Sequence, residues 1–214
     1  MRQLVLCYHA VSSTWEHRLA LPPKQLLRQV RAVQRFRRVH VTFDDAFRSI
    51  TSVLPDLRRM EVPVTVFVCS GFADLGGAPL LVPELASDEP EDLEGLRTMS
   101  WDELRALPSE GVTVGSHTVT HPHLPRLSDQ DLARELEESK ERIEAELGRP
   151  CPLFAYPYGE HDERVEDAAS AAGYETAFSL GSRRGDAFAA PRVDLYRRDT
   201  VLRTVARAAL SGAV

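Results

Sequence analysis

The sequence predicts an α/β protein whose parallel strands and helices alternate around a closed or nearly closed barrel. Short apolar, β-branched runs recur along the chain, and amphipathic stretches with helical spacing lie between them. The 214 residues hold six or seven such units at roughly 30 residues each. Repeated β-α units imply parallel strands joined by right-handed crossovers. An open doubly wound sheet is the alternative, but no strand is followed by the Gly-rich phosphate loop of its nucleotide-binding variety.

The first strand is expected at Leu4–Tyr8, followed by a helix near Pro23–Val33. Val39–Phe43 gives the second strand, and the apolar spacing from Phe47 to Met60 reads as its helix. Pro63–Cys69 is the third strand. After it, the stretch from Ala73 to Leu96 carries Gly76, Gly77, Pro79, Pro83 and Pro90 and six acidic residues between Glu84 and Glu94. It reads as a surface loop beside a cleft. Trp101–Leu107 is helical, Val112–Gly115 is a strand, and Ser128–Leu147 is the best-marked helix. Ser128 caps it, acidic residues fill its first turn, and Gly148 and Pro150 end it. Leu153–Tyr156 and Thr176–Leu180 complete the strands, with helices at Asp162–Ala172 and Thr200–Leu210.

Length and composition fit one domain over residues 1–214. With 43% hydrophobic and 27% charged residues, the chain is an ordinary globular protein rather than a disordered one. The 26 Lys and Arg against 32 Asp and Glu give −6, which offers no footprint for a phosphate backbone, so no nucleic-acid partner is expected. The basic run Arg35, Arg37 and Arg38 reads as a solvated helix end. No run approaches 18 apolar residues, so no transmembrane segment is expected. The opening apolar stretch is too short for a signal-peptide core. Cys7, Cys69 and Cys151 are odd in number and each sits in an apolar run, which suggests a reducing compartment and a cytoplasmic protein.

Chemistry concentrates at predicted strand ends, where β-α proteins place functional groups. Asp44 and Asp45 close the strand that ends in Phe43; such a pair could also be a helix cap. Ser116–His123 holds three of the seven histidines. The four-residue spacing of His117 and His121, on a helical turn or a tight loop of similar rise, aims two imidazoles at one point, as a metal preferring nitrogen requires. Two His and one carboxylate make an open site of the catalytic kind. In Phe154–Gly159, Pro157 and Gly159 force a sharp turn whose backbone N–H groups could meet an oxyanion. His9 adds an imidazole after the first strand.

Taken together and in this order, TFDD at 42–45, SHTVTHP at 116–122 and FAYPYG at 154–159 resemble the polysaccharide deacetylases of the NodB-homology family. The resemblance runs from LCYHAV at 6–11 through MSWDELRAL at 99–107 and ESKERIEAELG at 138–148 to AGYETAFS at 172–179. It implies a distorted (β/α)7 barrel, one divalent metal, zinc first with cobalt or nickel as options, and hydrolysis of an N-acetyl group on an amino sugar. Residue by residue, it makes Asp45, His117 and His121 the metal ligands and Asp44 the base. It gives the backbone N–H of Tyr158 to the oxyanion.

Three departures from the family pattern bear on that reading. The Leu-x-His motif that many relatives carry near the C-terminus is missing, for the last histidine is His161. A subset with a similar first strand supplies the acid from there, which points to His9, with His161 as the rival. Ala155 stands where many relatives carry an Arg paired with the catalytic Asp. Arg192, which resembles the Arg of a late family motif, is expected to reach Asp44 instead and lower its pKa. Ala46 replaces a common Gly after the two Asp residues, a change that asks only for an unstrained backbone. Ser116 and Thr118 are expected to orient the ligand loop. Tyr158 and Trp101 are candidates to stack on a sugar, though Trp101 could equally be core. The expected substrate is an N-acetylated amino sugar or glycoconjugate. The alternatives are hydrolysis of another small amide or formamide, or a barrel that binds carbohydrate without turnover.

Overall fold

The structure, a computed structural model, describes residues 3–79, 93–181 and 185–211. Seven parallel strands close a barrel: β1 (Gln3–Tyr8), β4 (Arg38–Phe43), β5 (Val64–Val68), β6 (Val112–Ser116), β7 (Leu153–Ala155), β8 (Thr176–Leu180) and β9 (Ala190–Asp194). Two short strands, β2 (Ala10–Val11) and β3 (Ala20–Leu21), pair with each other just beyond β1. The helices are α1 (Pro23–Gln34), α2 (Leu54–Arg59), α3 (Ser70–Asp74), α4 (Trp101–Ala106), α5 (Asp129–Leu147), α6 (Glu163–Ala171) and α7 (Val201–Leu210). Among the described residues no helix is long and apolar enough to cross a membrane.

Alternation along the strands divides the core. Leu4, Leu6 and Tyr8 of β1 join the large layer between sheet and helices, whereas Val5 faces a second cluster with Phe67, Ala155, Phe178 and Ala190 that fills the barrel. The helices cover the outside with stripes at helical spacing, such as Leu26, Val30 and Val33 of α1 and Leu132, Leu136 and Ile143 of α5. Gly115 is required by close approach. A side chain there would meet the Phe67 ring at 2.6 Å and the Leu153 carbonyl at 2.9 Å.

Three expectations change. The stretch expected as a helix from Phe47 to Met60 is a 3₁₀ turn at Arg48–Ser52 followed by α2. Pro55 in the first turn of α2 explains the break, because its ring clashes with the carbonyl four residues back. The seventh strand, β9, lacks the apolar run of the others because Pro191 and Arg192 interrupt it. It closes the barrel by pairing with β1 only at Val193 and Asp194, past the proline. The excursion after β5 begins in a helix, α3, and its residues 80–92 lie outside the described residues. The flanks are joined by a bridge between Pro79 and Arg97. Cys7, Cys69 and Cys151 are free and buried.

Candidate functional site

The C-terminal ends of β1, β4, β6 and β7 converge on one corner of the barrel mouth. Asp44 still belongs to the ladder, its N–H donating to Tyr8 O at 3.0 Å. Asp45 and Ala46 then turn with φ of 65° and 49°. This corrects the expectation for Ala46, whose backbone lies in the left-handed region that costs a non-glycine residue roughly 1–3 kcal/mol. The turn swings Asp45 away from its neighbour and toward the loop after β6.

On that loop His117 and His121 sit in irregular backbone rather than on a helical turn. Asp45 Oδ1 lies 3.7 Å from His117 Nε2 and 3.4 Å from His121 Nε2. One ligand atom from each of the three residues falls within 4.8 Å of the others, and all three side chains are buried. His117 Nδ1 lies 2.7 Å from Ala155 O. A carbonyl only accepts, so Nδ1 carries the proton and Nε2 offers its lone pair. Burial lowers the pKa of both histidines, and for His121 the nearby His117 adds to this. Burial, then the Asp44 charge, push Asp45 well above the usual carboxylate range. Asp45 Oδ1 is buried without a hydrogen-bond donor. An unsatisfied carboxylate oxygen facing two imidazole nitrogens, with the lone pair of His117 aimed at it, is a donor set that suits a divalent cation of borderline softness.

Asp44 is built the opposite way. Its oxygens receive both arms of Arg192, at 2.5 Å for Nη1 to Oδ1 and 2.9 Å for Nη2 to Oδ2. Cys7 Sγ lies 3.4 Å from Oδ2 as a third donor. Burial would raise the Asp44 pKa, but the Arg192 guanidinium outweighs it and holds the carboxyl well below the usual range. Arg192 is itself buried, over the Phe67 and Phe178 rings at 5.4 and 5.9 Å, and Thr42 Oγ1 accepts from its Nη1. His9 joins Cys7 and Asp44 in a second cluster whose ligand atoms lie within 4.8 Å of one another. Burial pushes the His9 imidazole down to about 4, against the opposing pull of Asp44.

The turn after β7 forms one wall. Tyr158 is left-handed, with φ 60°, an uncommon conformation for a bulky residue. Its ring meets His121 edge-on at 4.6 Å and stacks on His123 at 4.1 Å. His123 in turn pairs with Glu160 at 2.8 Å. His161 stacks on Tyr156 and pairs with Glu166 at 2.7 Å. Trp101 is placed differently from a sugar platform. It is 7% exposed, its indole N–H donates to Asp74 at 2.7 Å, and Arg142 covers the ring. A buried ring with a cation over one face and its N–H engaged offers little surface for a sugar to stack on.

Two residues that sequence reasoning missed hold the histidine loop from outside the barrel. Glu135 and Ser139 of α5 are buried and bond to Ser116, Thr118, Val119 and Thr120. In sequence they read as part of a charged helix face. Their one signal is position, for they share a stripe with the buried Leu132, Leu136 and Ile143. Cys7, read as a small hydrophobe, also proves to touch Asp44.

Comparison with known proteins follows the same lines. The sequence profile of the polysaccharide deacetylase family matches residues 31–177, and the chain belongs to that family. It is 30% identical over 138 residues to a bifunctional xylanase/xylan deacetylase of Cellvibrio japonicus, a match that covers 63% of this chain and 17% of that protein. YxkH of Bacillus subtilis, named for the same family, is 20% identical over 138 residues, covering 64% of this chain and 42% of its own. The match thus takes in less than half of either relative's length. Among solved structures, the Streptococcus pyogenes deacetylase PplD in complex with acetate superposes with a TM-score of 0.76 at 18% identity, covering 96% of this chain and 97% of its own. IcaB from Ammonifex degensii gives 0.74 at 23% identity and covers 97% of both chains. At these identities the structural likeness establishes the shared barrel fold.

Proposed function

We propose that this member of the polysaccharide deacetylase family is a metal-dependent hydrolase that removes an N-acetyl group from an amino sugar or glycan precursor and releases acetate. One observation carries the reading. Asp45 Oδ1 has no hydrogen-bond donor and faces His117 and His121, directly beside an Asp44 that Arg192 keeps ionised. Asp45, His117 and His121 would hold one divalent ion, and their oxygen and nitrogen donors favour zinc, with cobalt or nickel as substitutes. When bound, such an ion supplies Lewis-acid polarisation of the acyl oxygen and makes water easier to deprotonate.

The remaining work falls to the chain itself. Asp44, ionised at neutral pH, accepts the proton of the attacking water. Arg192 supplies the positive partner that Ala155 cannot, and its two-armed grip fixes which way the carboxylate points. His9 is neutral in the resting protein, because burial holds it near 4. It therefore serves as a relay, taking the proton gathered on Asp44 and delivering it to the departing nitrogen. We assign the Tyr158 backbone N–H to the developing oxyanion, since the left-handed turn seats this residue against His121. The half-buried Tyr158 ring is the candidate sugar contact. Three free, buried cysteines support a reducing, cytoplasmic setting.

The test is product release by metal-loaded protein from N-acetylglucosamine oligosaccharides, O-acetylated xylan oligosaccharides and small formamides. Acetate from the N-acetylated sugars, lost on chelation and restored by zinc, is the expected result. Release from the esters or formamides alone would move the acyl specificity. Carbohydrate binding without release, with metal in place, would identify a barrel that binds and does not turn over.

A further inference from the structure

The loop that carries both histidines is in an unfavourable conformation. Thr118 has φ 72° and His121 has φ 62°, uncommon values for residues with a Cβ, and rarer still for a β-branched one. Such backbone persists only where its surroundings over-determine it, and the surroundings here are mostly α5. Glu135 Oε2 accepts from the N–H groups of Val119 and Thr120 at 2.8 and 2.9 Å, and Oε1 accepts from Thr120 Oγ1 at 2.7 Å. One turn further on, Ser139 Oγ donates to Thr118 O at 3.0 Å and shares a 2.7 Å hydrogen bond with Ser116 Oγ. The opposite side of the loop is set by the start of α3, where the N–H groups of Ser70 and Gly71 donate to the carbonyls of Thr118 and Val119. A side chain at position 71 would meet Val119 O at 2.8 Å. Inside the loop, Thr118 Oγ1 accepts from His121 N at 3.0 Å.

Apart from the bond to Ser116, which precedes His117, these contacts lie between the two ligands in sequence, and none of them touches a ligand atom. Two adjacent amides bonded to one carboxylate oxygen fix the peptide planes at 119 and 120. The next residue, His121, has its direction set by those planes. Resting on the metal reading above, we propose that Glu135, supported by Ser139, is a positioning residue that sets the metal affinity of this site by holding His117 and His121 at their separation. Leucine at 135 would keep much of the side-chain volume but leave no acceptor for the two backbone N–H groups or the Thr120 hydroxyl.

The experiment is zinc affinity of folded protein by chelator competition, with the visible spectrum of the cobalt form as a second readout. Glu135→Leu is expected to weaken zinc binding by about 10–100-fold, the usual cost of losing a group that orients a ligand, and to alter the cobalt band. Thr120→Val and Ser139→Ala should act in the same direction and more weakly, and the exposed Glu138→Gln should match wild type. A folded Glu135→Leu variant with wild-type affinity and cobalt spectrum overturns the proposal. Should that variant fail to fold, unchanged affinity in both milder variants overturns it equally. Wild-type protein that takes up no metal would sink the hydrolase reading and this one with it. Normal uptake with unaltered variants sinks this one alone.

Discussion

Asp44 and Asp45 are neighbours in sequence, and both are almost fully buried, at 2% and 4% exposure, yet their surroundings are opposite. Asp44 points where Arg192 and Cys7 meet both its oxygens, and its pKa is held down. Asp45, turned by a left-handed backbone, faces two histidines with one oxygen unsatisfied, and its pKa is driven up. Burial is shared, so it cannot explain the difference; the partner does. When environment pushes paired carboxylates apart, it also divides their roles. Here one carboxylate has its counter-charge within the fold, and the other, on the metal reading proposed above, takes one from outside.

Removing the outside partner's ligands should have the largest effect. Asp45→Asn or His117→Ala is expected to lose both metal and turnover, read by elemental analysis and acetate release. Asp44→Asn should keep the metal and lower kcat by about 10²–10⁴, the range for a general base. It should also destabilise the fold by about 3–5 kcal/mol, because it strands the buried Arg192 charge. Urea unfolding and single-turnover kinetics on this one variant would separate the two consequences.

Arg192→Met would sharpen the comparison by making Asp44 resemble Asp45. With its largest opposing influence gone, burial outweighs the Cys7 thiol and the nearby histidines, so the Asp44 pKa rises and the acid limb of the kcat/KM profile moves to higher pH. An unchanged limb would show that Arg192 does not tune the base. Stability should change sign with it. In the wild type the folded pKa lies below the unfolded value of 3.8, so the contribution of Asp44 is present above that pH and lost as pH falls further. In the variant the folded pKa lies above it, so the contribution is present at low pH and lost as pH rises, visible as opposite slopes of Tm against pH.

The smallest expected effect belongs to His9→Gln, with metal retained and kcat lowered toward the bottom of the same 10²–10⁴ range, about 10². A loss of metal in this variant would mean that the cluster with Cys7 and Asp44 is not separate from the ligand triad.

Most of the barrel was legible because buried parallel strands write themselves as apolar β-branched runs, as in Val64–Val68. β9 was not, because Pro191 and the charged Arg192 and Asp194 hide a strand whose outward support comes from pairing with β8 and β1. The residue types at the site could be read from spacing along the chain, since Asp44 and Asp45 follow one strand and His117 and His121 another. What spacing cannot carry is tertiary partnership. Glu135 acts on residues 15 and 16 positions away through a helix face, and in ELEESKE only its place on the stripe of Leu132, Leu136 and Ile143 sets that Glu apart from its neighbours. Backbone strain was equally hidden. At Ala46 the sole sign in sequence was the Gly that relatives commonly carry there; its positive φ follows from the corner that the chain must turn to bring Asp45 onto the histidines.

The division of labour between the two carboxylates is tested most directly by metal content. Wild-type, Asp44→Asn and Asp45→Asn proteins would be loaded with zinc, freed of excess and analysed together. One zinc per chain in the wild type and in Asp44→Asn, with none in Asp45→Asn, is the predicted result. Zinc lost from Asp44→Asn and kept by Asp45→Asn, or kept by both, would contradict the assignment.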